Sequence, residues 1–273
     1  MREAPRHTQS PPQLMAQKRT PMNKSVKKAL SVLELFTEQA ETLSIKEIAE
    51  KLHTRSGTIF PVLATLTQYG YLERHSESKK YSLGLALLGK GTLVLRRLDI
   101  RDRAQPHLKE LLTHLNENVH LAILDELKVM YIDRKEAAPS LMIRSYVGKR
   151  APAHCTALGK VLLAHLDDRE LQGFLEKEKL VRLTDNTITN PRDFAAELEK
   201  VRKDGFAIDN EEFQKGGLCI AAPIKSYQNK VVAALSVSIP KSRFSDNHAQ
   251  KIIREVKKAA LNTSRSLGYE EKK

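Results

Sequence analysis

The sequence predicts two domains of different class, a small, mostly helical one at the N-terminal end and a larger α+β one behind it, joined by a helix. Three observations carry this. Residues 44–72, SIKEIAEKLHTRSGTIFPVLATLTQYGYL, read as two short helices around a tight turn. Up to about residue 118 apolar residues recur at helical spacing, and beyond it many fall in short runs that suit strands. A chain of 273 residues also has room for about two ordinary domains.

Residues 1–23, rich in proline, glutamine and charge, suit a disordered arm and lack the continuous apolar stretch of a signal peptide. Ser25 then caps a helix carrying Val26, Ala29, Leu30, Leu33 and Phe36. Ser44 and Glu47 form a capping box, each satisfying a backbone N–H left free at a helix start. Ile45, Ile48, Ala49 and Leu52 share the inner face of this helix, and His53 and Thr54 make the turn. A second helix from about Ser56 to Tyr69 buries Ile59, Val62, Leu63 and Leu66, and Gly70 supplies the left-handed stop. Two helices across so short a turn match a DNA-binding helix-turn-helix, whose second helix enters the major groove.

Pro61 is tolerable in that second helix only if it starts near Thr58, because further in it loses a backbone bond and meets the carbonyl four residues back. Base contacts therefore fall to Arg55, Ser56 and Thr58, and a bidentate Arg55–guanine contact is geometrically suitable. A hairpin follows, Tyr71 to His75 and Tyr81 to Leu83, with Lys79 and Lys80 at its polar tip. It forms a wing whose lysines reach for phosphates. The winged helix-turn-helix spans 24–84, and its candidate DNA contacts are Ser25, Lys46, Arg55, Ser56, Thr58, Lys79 and Lys80.

Residues 85–104 read as one linker helix that also carries a subunit contact, with Leu85, Leu88, Leu95 and Leu98 in excess of what a small domain covers and a bend at Gly89 and Gly91. Pro106 opens the next helix. Within 105–273, strands are expected near 119–124, 128–135, 141–147, 206–209, 218–225 and 231–239. Helices are expected at about 156–166, 168–176, 193–204 and 246–266. Strands adjacent in sequence, notably around Gln228-Asn229-Lys230, argue an antiparallel sheet with helices packed on it, an α+β ligand-binding domain.

The formal charge of +13, densest over the first 104 residues, points to double-stranded DNA as partner, since clustered cations displace counterions from phosphates. Two cysteines, Cys155 and Cys219, suit a reducing cytosol. No apolar run approaches the roughly 20 residues that cross a bilayer. His107, His114, His120, His165 and His248 lack metal-ligand spacing, and no glycine loop of the nucleotide-binding kind is present, so neither metal nor cofactor is expected.

In the second domain, Ala153 to Lys160 leads from a loop into a helix, capped by Thr156, whose free N–H groups suit an anion. Ser236 and Ser238 sit at i and i+2 of an apolar strand and face one side, where their hydroxyls bond either neighbouring backbone or a ligand. Cys219 lies in another apolar strand, where a free cysteine serves as a small hydrophobe. A thiol enzyme acting on a small carboxylate needs a base beside Cys155 or Cys219. His154 does not serve, because adjacent residues on extended chain point apart.

Over residues 24–268 the chain resembles the IclR-type transcriptional regulators. The resemblance rests on Lys24-Ser25-Val26, Ile48-Ala49 through Leu66, Gly70-Tyr71-Leu72, Tyr81-Ser82-Leu83-Gly84, His154 to Lys160, Gly205 to Asp209 with Glu211-Glu212, Cys219 to Ile224 and Ala233 to Ser238, in that order. It implies a winged helix-turn-helix dimerising through the N-terminal half and linker, a GAF-like or profilin-like effector domain, and a homodimer or homotetramer. It further implies a small organic acid whose carboxylate meets the N–H groups of Ala157 and Leu158. Asp209, Cys219, Ser236 and Ser238 would line the polar side, with Ile143 and Ala151 on the apolar wall. The family's Lys-Ser-Thr-Val start of the recognition helix, with an arginine a turn later, is replaced here by Ser56-Gly57-Thr58-Ile59-Phe60-Pro61. The expected function is a repressor-like DNA-binding regulator whose operator affinity a bound acid modulates. A DNA-binding protein without ligand is a further alternative, in which side chains fill the pocket.

Overall fold

The computed structural model describes residues 22–96, 99–137 and 145–270. The chain divides into two compact units, residues 1–93 and 94–273. The proposed arm falls almost wholly outside the described residues, as does Ile143.

In the first unit, α1 (Lys24–Leu33) is capped by Asn23, whose side-chain oxygen accepts from the N–H groups of Ser25 and Val26 at 3.0 and 3.2 Å. Ser25 is thus a recipient of the cap rather than the cap itself, because the extended backbone at Asn23 places its short side chain over the free donors. Next, α2 (Ile45–Lys51) opens on the expected capping box, with Ser44 N–H donating to Glu47 at 2.7 Å and Glu47 N–H to the Ser44 hydroxyl at 3.3 Å. The recognition helix α3 (Ser56–Gln68) starts at Ser56, so Pro61 lies inside it and not near its beginning. Burial of Ile59 and Leu63, both fully inaccessible, holds the helix across the lost bond. The carbonyl deprived of its partner belongs to exposed Gly57, where water reaches it.

The wing is β1 (Leu72–Arg74) paired antiparallel with β2 (Tyr81–Leu83). Gly84 returns against the end of α3 so closely that a Cβ there would stand 2.1 Å from the Gly70 carbonyl oxygen. Val32, Leu43, Ile48, Ile59, Leu63, Leu72 and Tyr81 form the core of this unit.

Of the linker helix expected over 85–104, the described residues fall in α4 (Ala86–Arg96), which runs through Gly89 and Gly91, and in the start of α5 (Asp99–Leu115). Pro106 lies within α5 rather than at its start. Here too tertiary packing overrides the local penalty, since Ala104 and Leu108, one turn apart across the proline, are both fully buried.

The second unit is built on an antiparallel sheet of order β5-β4-β3-β8-β7-β6, from β3 (Asn118–Asp125), β4 (Lys128–Lys135), β5 (Arg150–Pro152), β6 (Ala207–Asn210), β7 (Gly217–Lys225) and β8 (Val231–Pro240). Of the strand expected at 141–147, the first four residues lie outside the described ones. The rest turns at Gly148 (φ +92°) before β5. One face of the sheet presents Val119, Leu121, Ile220, Leu235 and Val237 to α5 and to α9 (Asp246–Ser266). The other face is covered by α6 (Ala157–Ala164), against which α8 (Pro191–Asp204) packs, and α7 (Asp168–Lys177) contributes Phe174 to the same core. Alternation along each strand separates these two cores.

Candidate functional site

The face under α6 is where polar groups collect. Thr156 caps α6 as expected, its hydroxyl accepting from Gly159 N–H at 3.1 Å and donating to the Pro152 carbonyl at 3.2 Å. The first helical bond runs from Lys160 N–H to Thr156, so the N–H groups of Ala157 and Leu158 are not used by the helix. Both residues pack in one cluster with Ala151, Tyr131 and Cys219.

Register brings the strand residues together. Asp209 pairs with Cys219, Cys219 with Ser238 and Ser238 with Asn118, while Ser236 pairs with His120. Cys219 Sγ lies 3.0 Å from Ser238 Oγ, which is 3.4 Å from His120 Nδ1. His120 meets Tyr131 edge to face, ring centroids 5.6 Å apart. Asp209 accepts from the N–H groups of Glu212 and Phe213 at 2.7 and 3.2 Å. All these side chains are buried.

Burial governs their protonation. It pushes Asp209 up to about 7 against the two N–H donors, and it lowers His120 to about 4, with Arg134 adding to the effect. Tyr131 and Cys219 are pushed up, chiefly by burial, and so is Cys155, to about 12. A thiol held protonated in this way is a poor nucleophile, and His154 turns to the Val181 carbonyl at 3.0 Å rather than to Cys155.

Behind the site, Lys160 is almost fully buried between Glu212 at 2.6 Å and Glu197 at 3.0 Å. The site thus offers uncharged donors and a helix start to an anion, while this cation is already neutralised. Asp209, Cys219 and Ser238 lie side by side on adjoining strands with Ser236 two residues along, and Ala151, Ala157 and Leu158 pack in one cluster with Cys219. Sequence reasoning missed His120, Tyr131 and the Lys160–Glu212–Glu197 cluster. His120 had a signal, being a polar residue at the alternation step that faces Ser236 across the strand pair.

In the first unit, Lys46, Arg55, Ser56 and Thr58 are exposed, as is Ser25. Arg55 occupies the cap position of α3 without a side-chain cap bond, leaving helix-start N–H groups for an anion. On the wing, Lys79 is exposed at φ +57°. Lys80 is not a free tip residue: it turns back to Glu47, 4.0 Å away. Arg74, absent from the sequence candidates, lies over the Tyr81 ring at 5.8 Å.

Residues 92–265 match the family described as bacterial transcriptional regulator IclR C-terminal, and residues 25–76 match the IclR helix-turn-helix domain. The chain is 36% identical to the HTH-type transcriptional regulator XynR of Escherichia coli over 91% of its length and 99% of that protein. It is 35% identical to E. coli KdgR over 90% and 93%. Among solved structures, the Thermotoga maritima IclR matches with a TM-score of 0.74 at 35% identity, over 90% of this chain and 99% of that one. An IclR homologue from Microbacterium hydrocarbonoxydans, complexed with 4-hydroxybenzoate, matches with a TM-score of 0.78 at 25% identity, over 89% and 99%.

Proposed function

The chain belongs to the IclR family of transcriptional regulators, and on that premise we propose that a small organic acid, held under α6, modulates its affinity for an operator of near-palindromic half-sites. The observation that carries this is the buried meeting of the free α6 N–H groups with Ser236, Ser238, Cys219 and Asp209 on adjoining strands. Donors without a counter-charge suit a carboxylate that arrives with its own. Arg55, Ser56 and Thr58 read bases, while Ser25, Lys46, Lys79 and Lys80 serve the phosphates, Lys80 at the expense of its ion pair. Domain limits of 24–84, 85–104 and 105–273 fit this division of labour.

The oligomer proposed is a homodimer, or a tetramer of two such dimers. Its support is the exposure of Val26 and Leu30 on α1 and of Leu88 and Leu93 on α4, apolar side chains that a second copy would cover. No helix among the described residues is long and apolar enough to cross a membrane, which fits the cytoplasmic location proposed.

The test is operator binding by the full chain titrated with a panel of organic acids. Ser238→Ala is expected to keep basal operator binding and lose the response of the wild type. An equal response of the two proteins across the panel overturns the assignment.

A further inference from the structure

The recognition helix carries a face that the DNA contacts assigned so far leave unused. No side chain of Ser56–Gln68 is charged, although the chain as a whole has a formal charge of +13. We propose that this face reads thymine methyl groups in the major groove, with Phe60 as the main contact and Ala64 beside it. The inference rests on the operator-binding reading above and extends it from Arg55, Ser56 and Thr58 to the middle of α3.

Helical spacing sets the geometry. Ile59 and Leu63 are fully buried and fix which side of α3 packs on the core of its unit. Phe60, Pro61, Ala64 and Gln68 recur at steps of three and four away from that side, and each is exposed. Phe60 keeps 53% of its surface in solvent. A single exposed aromatic is ordinary on a protein surface, but this one adjoins a proline ring and an alanine methyl on the helix that enters the groove. The hydroxyl of Thr65, next along, donates to the Pro61 carbonyl at 2.9 Å, so its proton is already used. The middle of the helix therefore meets the bases with carbon.

One group on the major-groove edges answers to carbon. Guanine, adenine and cytosine present acceptors and amino donors there, whereas thymine adds a C5 methyl. An amino or carbonyl group covered by Phe60 would lose water and gain no partner, while a methyl gains by leaving water. Charge places DNA on this face rather than a second copy of the chain. Arg55 stands at the start of the helix and Lys79 on the wing that follows, both exposed. A second copy would bring the same cations against them, whereas phosphates flanking the groove neutralise them.

The experiment starts from a random duplex library, from which the full chain selects its preferred sites at fixed salt. A selected duplex is then made twice, once with thymine and once with deoxyuridine, which pairs alike and lacks only the methyl. The wild type is expected to bind the deoxyuridine duplex about fourfold more weakly for each methyl lost from contact, and so about tenfold or more over two half-sites. Phe60→Ala and Phe60→Gln are expected to bind the two duplexes within about twofold of each other, with melting and sedimentation like those of the wild type. If the wild type binds both duplexes equally, or a folded variant keeps the penalty, methyl reading by Phe60 is overturned and operator binding stands. A variant that loses subunit association assigns the face to the oligomer and overturns the proposal as well. If the selection enriches no sequence, both readings fall.

Discussion

Gly159 and Ala153 meet backbone to backbone, so that a Cβ on Gly159 would stand 2.1 Å from the Ala153 carbonyl oxygen. The contact sets the start of α6 against the chain leaving β5, and with it the position of the Ala157 and Leu158 N–H groups. Because the obstacle is backbone, no side chain can yield. Gly159→Ala is expected to destabilise the protein by about 1–3 kcal/mol, the usual range for an overpacked core, and to abolish the effector response. Thermal melts beside operator-release titrations check both.

The Lys160 cluster makes a prediction about buried charge. Lys160→Met leaves Glu212, a buried acid whose carboxyl is already held above its ordinary range by burial, without its closest cation. Breaking such a pair costs about 3–5 kcal/mol, whereas replacing both partners with apolar residues is often close to neutral. Denaturant unfolding is expected to show a large loss for Lys160→Met and recovery in Lys160→Met/Glu212→Leu. A double variant no better than the single one contradicts this account.

A third prediction concerns pH. The Asp209 carboxyl is raised from 3.8 to about 7, so the native state binds its proton more tightly than the unfolded chain does. Its contribution to stability is complete below about pH 3.8 and is lost as pH rises through about 7. Asp209→Asn preserves an oxygen for the Glu212 and Phe213 N–H groups and removes the titration. Melting temperature measured from pH 4 to 8 is expected to fall less steeply for the variant than for the wild type.

The recognition helix offers the opposite sign. Gly57 sits in α3 with nothing within 4 Å of where a Cβ would be. Gly57→Ala is therefore expected to stabilise the protein by about 0.5–1 kcal/mol, the ordinary difference in a helix interior, seen as a raised melting temperature. Its neighbours Arg55, Ser56 and Thr58 keep their exposure, so operator discrimination at matched salt should persist.

Much of this architecture was legible in the sequence because its signals are local. The Ser44–Glu47 box, the Gly70 stop and the 21 residues of α9 follow from spacing and capping alone. What escaped is decided by contacts remote in sequence. Pro61 and Pro106 lie inside helices because buried faces hold those helices together, and no local rule states how strong that hold is. Likewise, His120 stands beside Ser238 across 118 positions of chain. Only the strand order, which a period of two does not reveal, turns an unremarkable histidine into a neighbour of the polar row.

Gly70 also closes a mechanical circuit. Its carbonyl accepts from Ala86 N–H at 3.1 Å while Gly84 N–H donates to the Tyr71 carbonyl at 2.9 Å, and the missing Cβ of Gly84 lets the two segments touch. The chain leaving the recognition helix and the first turn of α4 are thereby held against one another by backbone hydrogen bonds. Any residue larger than glycine at position 84 would meet the Gly70 carbonyl and disturb this joint between the end of α3 and the start of α4.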